Sequence, residues 1–154
     1  MSNLDWKQAD PALNVSGTTT ALSQEEIDSL DSYAAHVLSS LQKQFPHAGY
    51  DADTVAILSQ SINADRGSFD EEQTVKIGNL YGAFLGKTIL VRCAALKGQW
   101  VRSDDSIGVR FERGQQLRIA FPLTRVFKQI EQGEAASIVD FFAAIEAFAS
   151  SDPA

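Results

Sequence analysis

The chain has 154 residues, 44 % of them hydrophobic and 21 % charged, with a net charge of −7, the balance of one globular domain with a real core. No apolar run approaches the ~18–20 residues of a membrane span, and the first residues lack the basic start and apolar stretch of a secretory signal. The single cysteine, Cys93, excludes an intrachain disulfide, so a cytoplasmic protein is expected, and the overall acidity argues against nucleic-acid binding.

Residues 1–21 are polar, with Pro11, Gly17 and the run Thr18–Thr20, and read as a mostly irregular arm. Trp6 stands out there and is expected to dock on the domain; a short peptide motif is the alternative. Residues 22–150 read as a single domain. Ser23-Gln-Glu-Glu26 is a capping box, with Leu22 and Ile27 at the spacing of a hydrophobic staple. Ile27, Leu30, Ala34, Val37, Leu38 and Leu41 then recur with helical period, and Pro46 stops the run. Asp53 is expected to cap a second helix over roughly 54–62, with Val55, Leu58 and Ile62 inward.

A third helix is expected from Ser68 or Asp70, with Asp70, Glu71 and Glu72 at its positive end. Val75, Ile77, Tyr81, Phe84, Leu85 and Ile89 form its inward set. It is expected to run as far as Leu96, with Gly98 at the left-handed stop. The β-branched stretch 88–91 permits a rival reading, helix to Gly86 and then strand. Three antiparallel strands follow. Trp100-Val-Arg102 leads into the turn Ser103–Ser106; Ile107, Val109 and Phe111 alternate with polar residues; and Leu117, Ile119 and Phe121 alternate after Gly114. Leu123, Val126, Phe127 and Ile130 mark a fourth helix closing near Gly133. Ser137-Ile-Val-Asp140 opens a fifth, carrying Ile138, Phe141, Phe142, Ile145 and Phe148. The expected fold is α+β: about five helices packed on a small three-stranded antiparallel meander.

The segment Gly78-Asn-Leu-Tyr-Gly82-Ala-Phe-Leu-Gly86-Lys87-Thr88 looks like a phosphate loop. A Walker loop requires Gly five positions before its Gly-Lys-Thr, and that position here is Tyr81. A phosphate loop also follows a strand and offers free amides, whereas residues 71–76 already read as helix. Gly78, Gly82 and Gly86, at i, i+4 and i+8, share one helical face. Each costs about 1 kcal/mol of helix propensity against Ala, so a helix-packing groove against a neighbouring element is the expected return.

No catalytic residue stands out. There is no Gly-x-Ser-x-Gly elbow, Cys93 has no partner in the sequence, and one Cys with two histidines, His36 and His47, leaves little for a transition metal. No metal and no cofactor are expected. Asp51 and Asp53 read as helix caps rather than ligands, and Asp104-Asp105 as a turn.

Charge is uneven. Residues 1–86 carry net −8, residues 87–128 net +6 and residues 129–154 net −5. Within the basic segment, a register with Phe111 opposite Leu117 would bury Ile107, Val109, Phe111, Leu117, Ile119 and Phe121 together and set Arg110 opposite Arg118. Two like charges in that position are destabilising. Either Glu112 offsets them, or the pair, with Arg102 nearby, receives an anion such as a partner's carboxylate or a phosphate. Trp100 is expected inward, opposite Val109, with an aromatic platform at the sheet edge as the alternative.

The order of Leu22-Ser-Gln-Glu-Glu-Ile27, Tyr81-Gly-Ala-Phe-Leu-Gly86, Gln99-Trp-Val101, Ile119-Ala-Phe-Pro-Leu-Thr124 and Phe127-Lys-Gln-Ile-Glu-Gln-Gly133 resembles an uncharacterised bacterial domain family, over about residues 22–145. The resemblance implies a bacterial, single-domain α+β protein and brings no activity with it. The expected function is a non-enzymatic module that binds a protein partner, in the manner of a toxin-neutralising immunity protein or an adaptor. The rival is a small-molecule-binding protein or enzyme with a pocket between the glycine helix and the sheet. A monomer or weak homodimer is expected.

Overall fold

The computed structural model describes residues 19–151. Five α-helices surround a four-stranded antiparallel sheet. Strand β1 is Thr19–Ala21, β2 Gln99–Ser103, β3 Ser106–Arg113 and β4 Gln116–Ala120. The helices are α1 Gln24–Gln42, α2 Ala52–Asp65, α3 Glu71–Arg92, α4 Pro122–Gln132 and α5 Ile138–Ser150. The expected α+β class holds, with one strand more than expected. The additional strand comes from the end of the arm: β1 pairs with β2, Thr20 lying opposite Arg102. The expected docking of Trp6 lies outside the described residues.

The helix starts follow their caps. Ser23 Oγ accepts from the Glu26 amide at 3.1 Å, and Glu26 accepts from the Ser23 amide at 2.9 Å, so the capping box is complete. Asp70 and Gln73 form a second box at the start of α3, and Ser137 Oγ accepts from the amides of Val139 and Asp140 to open α5. In α2 the cap is Asp51 rather than Asp53, and the helix is longer than 54–62. Asp51 takes both the Thr54 amide and the Thr54 hydroxyl, at 2.9 and 2.8 Å, a pair of bonds Asp53 would forgo by sitting inside the first turn.

Helix α3 runs unbroken through Gly78, Gly82, Gly86 and the β-branched stretch. The buried Thr88 donates its hydroxyl to Phe84 O at 2.8 Å, which satisfies it inside the helix. The α-helix ends at Arg92, short of Leu96. Residues Ala94–Leu96 tighten into a 3₁₀ turn, and the left-handed position falls on Lys97, φ 54°, rather than on Gly98. The turn carries the buried Leu96 into the core.

Helix α3 is the central element and packs most extensively against α1 and α4. One cluster forms the core, with Leu30 and Val37 of α1, Val55, Leu58 and Ile62 of α2, Phe84, Leu85 and Ile89 of α3, and Phe141, Phe142 and Ile145 of α5. Two polar devices lock α4 in place. The fully buried Gln129 donates to Ser59 Oγ at 2.8 Å and to Asn63 Oδ1 at 3.1 Å, and accepts from the Ile138 amide at 2.8 Å. Arg66 donates to the carbonyls of Ile130 and Glu131, satisfying the orphan end of α4 where a cation is favoured.

The β3–β4 register differs from the expected one by a single residue. Phe111 lies opposite Arg118, Arg110 opposite Ile119 and Arg113 opposite Gln116. The turn is therefore the two residues Gly114-Gln115, and Gly114, φ 60°, holds the left-handed first position that such a tight hairpin requires. Because side chains alternate along a strand, the one-residue shift turns the whole of β4 over. Arg118 and Ala120 join Val109 and Phe111 on the face toward the helices. Leu117 and Ile119 lie on the outer face with Gly108 and Arg110.

Candidate functional site

The glycine face of α3 is filled. A Cβ at Gly78 would stand 2.8 Å from Phe127 Cδ1, one at Gly82 2.6 Å from Leu123 Cα, and one at Gly86 2.5 Å from Trp100 Cζ2. The three glycines thus admit Phe127 and Leu123 of α4 and the indole of β2 along one line. The intervening amides belong to a continuous helix, so none is presented to a phosphate. Lys87, in the apparent Gly-Lys-Thr, pairs with Asp31 of α1 at 3.4 Å.

The sheet does not gather the arginines singled out by the sequence. Arg110 and Arg118 stand on opposite faces, because the tight turn sets the register rather than the match of apolar residues. Arg110 pairs with Glu112 at 3.8 Å on the outer face. The Arg118 guanidinium lies 5.1 Å from the centre of the Phe148 ring on the helical face, within cation–π range. Arg102 bonds Glu26 at the start of α1. That carboxyl is held below its usual value chiefly by the Ser23 N–H, which outweighs the opposing desolvation, with Arg102 adding to the lowering. Trp100 sits opposite Val109 as expected and is only 4 % exposed, packed on Gly86 as core rather than offered as a platform.

Cys93 is buried, and burial first, then the Glu146 charge, pushes its thiol up to about 11. A nucleophilic cysteine requires the opposite shift. His47 is exposed in its loop, and Asp104-Asp105 makes the β2–β3 turn, with Asp104 at φ 53°. Among the described residues no cluster of three His, Cys, Asp or Glu side chains is placed to hold a metal ion, and no helix is long and apolar enough to cross a membrane.

No family model, curated protein or solved structure matches this chain.

The open surface lies elsewhere, on the side of α3 toward α1. Ser32, Tyr33 and His36 of α1 and Lys76, Asn79 and Leu80 of α3 line a groove of about 380 Å³. A shallower depression formed by Glu71, Glu72, Val75 and Lys76 adjoins it, the two meeting at Lys76. Tyr33 is 42 % and Val75 50 % exposed, so two large side chains stand in solvent along the same crossing of helices. Val75 was expected inward with Ile77; the structure turns it out because the buried set of α3 follows Gly78, Gly82, Leu85 and Ile89. Tyr33 carried a signal that sequence reasoning missed: it is an aromatic residue one position off the stripe of Leu30, Ala34 and Val37.

Proposed function

We propose that this protein is a non-enzymatic binding module that recognises a basic protein partner through the α1–α3 groove, in a toxin-neutralising immunity role or a related adaptor role. Membership of the uncharacterised bacterial domain family belongs to the same proposal. The observation that carries it is a pair of exposed large side chains, Tyr33 lining the groove and Val75 lining the depression that shares Lys76 with it. An exposed tyrosine lining a groove is a frequent anchor of protein interfaces. Glu71 and Glu72 border it at the positive end of α3, Asp28 lies one turn before Ser32, and residues 1–86 together carry net −8. Such a field attracts a cationic partner and speeds its encounter. The filled glycine groove supports recognition over catalysis, since Phe127, Leu123 and Trp100 occupy the space a substrate pocket there would need.

Affinity capture from the source organism's lysate, with identification of what is retained, tests the reading. The wild type is expected to hold a basic protein that raised salt releases, and Tyr33→Ser/Val75→Asp is expected to lose it while Arg110→Gln keeps it. Equal capture by the double variant would remove the groove from the account. Tight co-purification of a small molecule instead of a protein would overturn the binding-module reading.

A further inference from the structure

The register that parts Arg118 from Arg110 sets it beside Arg113 instead. Arg118 lies opposite Phe111, and Arg113 is two residues further along β3, opposite Gln116. Arg113 and Arg118 are therefore diagonal neighbours on the face toward the helices, within about 7–8 Å of each other and in reach of long side chains. Two like charges so placed repel. Both residues are half-buried, so water screens them only in part.

Other arginines of the fold have their charge answered. Arg66 and Arg92 donate to backbone carbonyls, and Arg102 and Arg110 pair with Glu26 and Glu112. Among the described residues no carboxylate stands in ion-pair range of Arg113 or Arg118. Arg113 Nε is buried without an acceptor, while its terminal nitrogens are not buried. Arg118 is held in position: its guanidinium lies over the Phe148 ring at 5.1 Å, and Nη1 donates to Leu117 O at 3.3 Å. That leaves most of its five N–H donors unused. The end of α5 does not supply the missing charge. A helix C-terminus offers about half a negative charge against two guanidiniums, and Phe148 O already accepts from the Ser151 amide and hydroxyl.

We propose that Arg113 and Arg118 form a binding site for a phosphate-class dianion, either free phosphate or a phosphomonoester. Charge sets the class, since a carboxylate balances one guanidinium and a dianion balances both. Tetrahedral oxygens can engage two guanidinium forks at once. The site shares no residue with the α1–α3 groove, so it stands or falls independently of that reading.

The test titrates the full chain with inorganic phosphate and, separately, with phenyl phosphate, at constant ionic strength and neutral pH. Arginine Nε–H signals in ¹⁵N–¹H spectra and the heat of binding are the readouts. The Arg113 and Arg118 signals are expected to shift and saturate, while that of Arg110 stays put. The tighter of the two ligands assigns the site to the free ion or to the monoester. Arg113→Gln or Arg118→Gln is expected to weaken binding roughly tenfold or more, as for the loss of a hydrogen bond to a charged group. Arg110→Gln is expected to leave it unchanged. Should a variant fail to fold, the wild-type spectra decide alone. Shifts that never saturate for either ligand overturn the proposal. So does a heat of binding undiminished in a folded Arg113→Gln/Arg118→Gln protein, because the anion would then sit elsewhere.

Discussion

The glycine face allows a sharp test of why α3 tolerates three poor helix formers. Gly82→Ala improves helix propensity by about 1 kcal/mol. Against this, the new methyl would lie 2.6 Å from Leu123 Cα, roughly 1 Å inside the 3.5–4.0 Å of ordinary carbon contact. Overpacking of a core costs about 1–3 kcal/mol, and the obstacle here is backbone, which cannot rotate aside, so the upper end applies. The balance is a net loss of about 2 kcal/mol, or a fall in Tm of roughly 4–8 °C for a chain of this length. Denaturant unfolding followed by circular dichroism reads the change as a lowered midpoint at constant slope. The three sites should also rank. Gly86→Ala drives into an indole locked at 4 % exposure, whereas Gly78→Ala meets the half-buried Phe127 ring, which has room to swing, so Gly78→Ala should be the mildest. Gly67→Ala is the control: nothing lies within 4 Å of its added Cβ, and it should gain about 0.4–1 kcal/mol through the unfolded state. A Gly82→Ala protein that is folded and as stable as Gly67→Ala would refute the packing account.

Three further outcomes follow from the same structure. Gln129→Leu strands the Ile138 amide and the Ser59 hydroxyl in a buried site, and should cost about 1–3 kcal/mol in equilibrium unfolding; a neutral result would mean that α4 and α5 dock without it. Glu26 has a folded pKa below its ordinary value, so its contribution is present above that ordinary value and disappears as the pH falls through the depressed one. Glu26→Gln should accordingly flatten the acid limb of the stability–pH curve without changing the alkaline limb. Cys93, pushed up to about 11, has the reverse sign: its contribution is complete below the ordinary thiol value and is lost as the pH rises from there through about 11. In the folded protein a thiol reagent at neutral pH should react slowly, and at the free-thiol rate once denaturant is added; fast native reaction would contradict its burial.

Much of the fold was legible because its signals are local. Ser23, Asp70 and Ser137 stand where their side chains reach free amides, and Leu30, Ala34 and Val37 or Phe141, Phe142 and Ile145 repeat with the period of a helix. The glycine face was legible for the same reason, as i, i+4 spacing places residues together whatever lies opposite. The groove at Tyr33 and Val75 was not, because its openness depends on how far α1 and α3 stand apart at that level. Neither was Trp100 as the occupant of Gly86, which required the sheet to be laid against α3.

The sequence by itself determined the caps that open α1 and α5, most of the residues that line the core and that three strands follow α3 in antiparallel order, since capping, periodicity and alternation are properties of neighbouring residues. Tertiary structure alone decided that Thr19–Ala21 joins the sheet, and that Arg110 and Arg118 part to opposite faces. Pairing between strands is set by turn geometry and by contacts distant along the chain. A shift of one residue there exchanges the two faces of a strand while leaving its own alternating pattern unchanged.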